Sequence, residues 1–275
     1  MEPDPENGDS WRKEHVFHAK LAEKVGRYED MVEAITAVVK AVDVEDLTSD
    51  ERNLFYAGCN NVVGSRRTSL RIVSSNLELH KDRNRVLARI IKDYQSSIES
   101  EISTICQSVL DILNTQLIPK AVSGEVKVFC LKMKGDYLRY LAEFQTGEEG
   151  RNAKESALLA YKSARSIALA ELPPTHPNRL GLALNFSVFY FDILKSLDKA
   201  YDIAKQAFTD ACSDDTIRNA SHKESRLILQ LLMENCSIWM REPRDNLKQF
   251  QVKLSCVLCL GRLSFCLKDA SVLES

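Results

Sequence analysis

Two clusters of basic residues in separate stretches hold the side chains of this chain best suited to chemistry. The first reads Asn60-Asn61-Val62-Val63-Gly64-Ser65-Arg66-Arg67-Thr68-Ser69-Leu70-Arg71, the second Lys132-Met133-Lys134-Gly135-Asp136-Tyr137-Leu138-Arg139-Tyr140. On a helix Arg67 and Arg71 stand one turn apart and share a face. Lys132 and Arg139 stand two turns apart and share another. If the two faces converge, they make a fork of guanidinium groups with the Tyr140 hydroxyl beside it. Planar, bidentate donors suit a dianionic phosphate. Asp136, one turn before Arg139, is placed to orient it by a charge-assisted hydrogen bond. Taken alone, the stripe Asn60, Gly64, Arg67 and Arg71 is equally a solvated basic face; the second cluster tips the reading toward binding.

The elements that must carry these residues read as helices almost throughout, over 11–26, 28–42, 48–79, 84–115, 122–145, 149–170, 176–195, 197–213 and 222–240. Thr48 followed by Glu51 is a capping-box pattern. The run Leu172-Pro173-Pro174-Thr175-His176-Pro177 must interrupt a helix, with Pro177 acceptable in the first turn of the next. Strand signals are absent. The expectation is an all-α domain of about nine antiparallel helices over 11–240. Residues 1–10 read as a disordered tail and 241–275 as a divergent, disordered one. The stretch Leu182 to Phe191 is apolar on nearly every face and must be covered on several sides.

The net charge of -2 speaks against a general nucleic-acid binder. No apolar run reaches the roughly 20 residues of a membrane span, so no integral membrane association is expected. No secretory signal is read at the start, and the eight cysteines read as reduced thiols of a cytoplasmic or nuclear protein. No nucleophile elbow, phosphate loop, dinucleotide fingerprint or zinc-protease pattern occurs. Cys256 and Cys259 form a lone pair without a second pair at zinc spacing. No catalytic residue, metal or cofactor is expected. A tetratricopeptide-type scaffold would need a 34-residue repeat, and none is visible.

Other positions add an apolar wall. Leu231, Asn235 and Ile238 share one helical face, and Leu184 and Val188 another, with Asn185 beside Leu184. Such residues are more often core than site. Two amides on an apolar wall, however, could pair with both N–H and C=O of an extended peptide.

The stretches Glu51-Arg52-Asn53-Leu54, Val62 to Arg67, Lys132 to Tyr137, Arg139-Tyr140-Leu141-Ala142-Glu143-Phe144 and Thr175-His176-Pro177 through Tyr190 together resemble the 14-3-3 family. The resemblance covers roughly residues 11–240. It implies a concave, cup-shaped nine-helix domain that dimerises through its N-terminal helices and binds phosphoserine or phosphothreonine in an extended peptide. It places Arg67, Arg71, Arg139 and Tyr140 on the phosphate, and Lys132, Leu184, Asn185, Val188, Leu231, Asn235, Ile238 and Trp239 in the peptide groove. It places Leu21, Ala22, Val25 and Tyr94 at the dimer interface, with Arg27 and Glu101 as an intersubunit ion pair. The implied role is an adaptor or scaffold clamping phosphorylated client proteins as a homodimer or a heterodimer with other family members. The chain departs from the family pattern at Asn60, where lysine is usual, and at Leu70, where tryptophan is. It departs also at Asp192 in place of a longer glutamate, at Met233 in place of arginine, and at Ser97, where a lysine usually faces Asp30. These departures suggest an alternative, a degenerate member that acts mainly as a heterodimerisation partner.

Overall fold

A computed structural model of the protein describes residues 8–218 and 223–241. The described residues form nine principal helices and no strand: α1 Gly8–Lys24, α2 Tyr28–Ala41, α3 Ser49–His80, α4 Arg85–Ile112, α5 Gly124–Ala142, α6 Gly147–Glu171, α7 Pro177–Asp192, α8 Leu197–Cys212 and α9 Lys223–Arg241. The all-α expectation holds. Gly8, Asp9 and Ser10, read as tail from the sequence, belong to α1. The readings made for residues 1–7, 219–222 and 242–275, with the thiols of Cys256, Cys259 and Cys266, lie outside the described residues.

Local chemistry explains most of the boundaries. The capping box is formed: Glu51 N–H donates to Thr48 Oγ1 at 3.2 Å, and Thr48 N–H donates to Glu51 Oε2 at 2.8 Å. Arg12 adds two bonds to the same carboxylate, at 2.7 and 2.6 Å, and so ties α1 to the start of α3. Pro177 opens α7, where its missing donor costs nothing, and His176 Nδ1 accepts from Asn178 N–H at 3.1 Å as the N-cap. That helix ends at Asp192 rather than at 195. Lys195 adopts a left-handed φ of 53°, and Ser196 N–H donates back to Tyr190 O at 2.9 Å. Past Ile112, α4 widens into a π-turn, Leu113–Leu117, and a last short turn, Ile118–Lys120. Pro119 supplies a reason, since its ring cannot sit under the carbonyl of Thr115 in a regular ladder.

Two cores share the chain. The first gathers α1 to α4 with one side of α5, including Met31, Ile35, Phe55, Ile102 and Tyr137. The second gathers α6 to α9 around α7, with Val128 of α5. The expectation for Leu182 to Phe191 is met: Leu182, Leu184, Phe186, Val188, Phe189, Tyr190 and Phe191 are all buried. Each such side chain contributes about 1.5–3 kcal/mol of apolar transfer. Phe186 also stacks on Tyr161 at 5.2 Å between centroids.

Helix α5 runs against α6, and Gly135 permits their approach: a Cβ there would lie 2.7 Å from the Tyr161 ring. Gly135→Ala is therefore expected to lower stability by about 1–3 kcal/mol through overpacking. Helix propensity by itself would favour alanine. A thermal melt that rises or stays level would contradict this account of the α5–α6 contact.

Candidate functional site

The two basic clusters meet. Arg67 comes from the middle of α3 and Arg139 from the last turn of α5. Both are almost completely buried, at 2 % and 4 % exposure, and both point at one carboxylate. Arg67 Nε donates to Glu143 Oε2 at 2.8 Å, and its Nη2 donates to Oε1. Arg139 Nη1 donates to the same Oε1 at 3.3 Å. The Tyr140 ring centroid lies 4.0 Å from the Arg67 guanidinium carbon and 4.6 Å from that of Arg139. Both cations thus make a cation–π contact with one ring. Burial alone would lift the Glu143 pKa; Arg67, and then Arg139 and Arg71, overcome that and hold the carboxyl below its usual range. The half-buried Arg71 thus contributes field to the same centre.

Asn60 stands about two turns before Arg67 on α3. Its Oδ1 accepts the hydroxyls of Tyr137 and Tyr140, each at 3.4 Å. At the position where the resemblance leads one to expect lysine, this chain carries a neutral amide bonded to the two phenols.

A second polar centre adjoins the first. Asp136 on α5 is fully buried and accepts four hydrogen bonds. Lys132 Nζ and the Tyr56 hydroxyl reach Oδ2, each at 3.2 Å. The Tyr161 hydroxyl and Asn185 Nδ2 reach Oδ1 at 2.6 and 2.8 Å. Lys132 also lies over the Tyr56 ring, 3.9 Å from its centroid. The expected direct bond from Asp136 to Arg139 is replaced by a relay: Arg139 Nε donates to the Tyr161 hydroxyl at 3.4 Å, which itself donates to Asp136. With four donors already around it, the carboxylate is saturated by nearer partners.

Asp192, at the end of α7, is the third acid here. Burial pushes its pKa up to about 6; Glu143 adds to the rise, while Arg139, Lys195 and Arg67 oppose it. The folded pKa is raised, so the ionised form costs stability above pH 6. That cost fades as the pH falls from 6 toward the unfolded value near 4. A rise of about two units corresponds to roughly 3 kcal/mol at most. Asp192→Asn is expected to raise the melting temperature at pH 7.5 and to give only about a third of that gain at pH 4.5. An equal gain at both values would assign the effect to something other than titration.

The apolar candidates divide. Leu184 and Val188 are buried, at 0 % and 2 %, and Leu184 belongs to the second core. Ala183 and Asn185, on either side of Leu184, are half-buried. Leu231 and Ile238 are half-buried and packed against that core. Asn235 and Trp239 on α9 are buried, and Asn235 Nδ2 and Trp239 Nε1 have no hydrogen-bond partner among the described residues.

On the N-terminal half, Phe17 and Leu21 are exposed along α1 and Val25 just past its end, and Tyr94 along α4, together with Val86 and Ile90. Both sets repeat every four residues and make apolar stripes. Ala22, expected beside them, is 3 % exposed and lies in the first core. Arg27 pairs within the chain with Asp30, and Glu101 with Arg66 at 3.5 Å.

Sequence reasoning omitted Glu143, Tyr56 and Tyr161 from the site. Glu143 had a local signal, four residues after Arg139 on one helix face. Tyr161 and Tyr56 had none, since packing of α6 and α3 against α5 brings them in. Among the described residues no group of histidine, cysteine and acidic side chains is arranged to hold a metal ion. No helix among them is long and apolar enough to cross a membrane. Cys59, Cys106, Cys130, Cys212 and Cys236 are free, and burial pushes the first three thiols up to about 12.

A family model described as 14-3-3 protein matches residues 18–240. The chain is 55% identical over 239 residues to a 14-3-3-like protein A of Glycine max, covering 86% of this chain and 93% of the relative. It is 54% identical over 240 residues to 14-3-3 protein 4 of Solanum lycopersicum, covering 86% and 92%. It is 54% identical over 239 residues to the 14-3-3-like protein GF14 psi of Arabidopsis thaliana, covering 86% and 94%. With a helical architecture of the kind the motifs implied and relatives matched over nearly their whole length, the chain belongs to the 14-3-3 family.

Proposed function

We propose that the protein is a phosphoserine- and phosphothreonine-binding adaptor that clamps phosphorylated client proteins as a dimer and alters their activity, interactions or location. The observation that carries this reading is the convergence of Arg67 and Arg139 on the Glu143 carboxylate. The pocket already holds an oxyanion between two guanidinium groups, with Tyr140 beneath them. A phosphoryl group carries about −1.5 to −2 charge near neutral pH and suits the same donors. The unpartnered donors of Asn235 and Trp239 support a ligand main chain alongside, because a buried donor without an acceptor costs about 1–3 kcal/mol. Nothing in this role requires turnover. The apolar stripes through Leu21 and Tyr94 support dimerisation, with itself or with another family member, and the cytoplasm or nucleus is the proposed setting.

The test is titration calorimetry with one peptide in phosphorylated and unphosphorylated forms. Saturable binding of the first, at least tenfold tighter than the second, is expected. Equal binding of the two would remove the reading. The second reading, a member specialised for heterodimerisation, is favoured by the neutral Asn60. It predicts weak binding of both peptides alongside tight assembly with another family member in sedimentation.

A further inference from the structure

We propose that the cleft formed by α6, α7 and α8 is a second binding site, whose occupant is a free medium-chain carboxylate: one anionic head on a straight apolar chain. None of Arg67, Arg139, Tyr140 or Glu143 lines this cleft, and the proposal does not rest on the phosphopeptide reading.

The cleft is apolar below. Phe186 of α7 is buried and forms its floor, together with Ile203 of α8 and Leu169 of α6. Leu169 nevertheless stays 46 % exposed. The space tapers. A mouth of about 230 Å³ lies beside Lys162 and Tyr190. It joins, at Arg165 and Phe186, a narrow end of about 30 Å³ walled by Ala168, Leu182 and Ala207. The mouth is smaller than the roughly 300–1,000 Å³ of sites for drug-sized ligands. The narrow end has room for only about two or three water-sized spheres. The tip of a chain fits there and a ring system does not. Arg179 stands at the same end, paired with Asp210 at 3.4 Å and donating to Leu172 O at 2.8 Å.

The rim at the mouth is basic. Lys162 and Arg165 stand one turn apart on one face of α6, where like charges repel. Among the described residues neither closes an ion pair. Arg165 Nη2 donates instead to Oε1 of Gln206, a neutral amide across the cleft, at 2.9 Å. A carboxylate presents two oxygens to the guanidinium fork where the amide presents one, and it brings the opposite charge. An incoming carboxylate therefore displaces Gln206, answers both cations and lays its chain along Phe186 into the narrow end. Arg179, by contrast, already has its own acid in Asp210, which leaves the head group to the mouth.

The test is titration calorimetry of the full chain with sodium decanoate and, as its cationic counterpart, decylamine. Saturable binding of decanoate with a Kd at or below about 1 mM is expected, and decylamine should bind at least about fivefold more weakly. Gln206→Glu changes an exposed side chain and leaves the apolar floor intact. It should weaken decanoate at least about fivefold, because the new carboxylate occupies Arg165 from within the chain. Arg165→Gln should do the same by removing the cation. If Arg165→Gln does not melt cooperatively, Gln206→Glu decides. Absence of saturable decanoate binding overturns the proposal, as does equal affinity for decylamine or an affinity that Gln206→Glu leaves unmoved. Retention of the chain on phosphatidylserine vesicles, lost in Gln206→Glu and unaccompanied by binding of free decanoate, would make the cleft a membrane contact and overturn it as well.

Discussion

Arg67→Ala is expected to weaken phosphopeptide binding by roughly two orders of magnitude or more, while binding of the unphosphorylated peptide stays as weak as before. The size follows from geometry. Arg67 presents Nε and Nη2 together to the Glu143 carboxylate, and the same fork would serve a phosphoryl group. Charge-assisted hydrogen bonds contribute about 1.5–3 kcal/mol each, so losing two costs roughly 3–6 kcal/mol. Arg67→Lys retains the charge but not the fork and should fall between. Asn60→Lys should act in the opposite direction, raising affinity about tenfold by one added charge-assisted contact. Stability needs its own readout, because Arg67 is buried and Glu143 would keep only its 3.3 Å bond to Arg139. A thermal melt on each variant separates lost folding from lost recognition. Undiminished phosphopeptide affinity in a folded Arg67→Ala protein would remove Arg67 from the phosphate site.

The parts of this arrangement that were legible in the sequence are those whose cause is local. The capping box of Thr48 and Glu51 needs three residues of chain, and Pro177 fixes the start of α7 by its own ring. The basic clusters were legible as stripes on separate helices. That Arg67 and Arg139 meet on one acid was not, because Arg67 and Glu143 lie 76 residues apart and only the packing of α3 and α5 on a common core joins them. The mistake over Asp136 has the same origin. Sequence spacing offered Arg139 as its partner one turn away. The fold instead supplied Tyr56, Tyr161 and Asn185 from three other helices, and they saturate the carboxylate first. The resemblance alone placed Ala22 at the interface; in the single chain its face of α1 is turned into the first core. The resemblance identified the family because many short motifs occur in the family's order. It could not say that Asn60 would be bonded to both Tyr137 and Tyr140.

A ligand with two phosphorylated sites joined by a flexible linker is expected to bind about 10²–10⁴-fold tighter than either site alone, because a dimer converts the second contact into an intramolecular one. That gain depends on the subunit contact and not on the pocket, so it can be removed without touching either arginine. Leu21 and Tyr94 are 48 % and 61 % exposed in the single chain, which makes them replaceable without opening the core. Covering a large apolar side chain contributes about 1.5–3 kcal/mol, and Phe17, Val25, Val86 and Ile90 stand exposed on or just past the same helices. The ion pairs nearby are a weaker source of association. Arg27–Asp30 and Arg66–Glu101 are solvent-exposed and already closed within one chain, and such pairs contribute about 0–1 kcal/mol each. On this reasoning Ser97, standing where the family usually has lysine, costs the dimer little, whereas Leu21→Asp with Tyr94→Asp should break it. The doubly substituted protein should sediment as a monomer, bind a single phosphopeptide with unchanged affinity, and lose the advantage of the two-site ligand. A monomer that keeps the advantage would mean that one chain engages both sites, and the clamp would have to be sought within a single subunit.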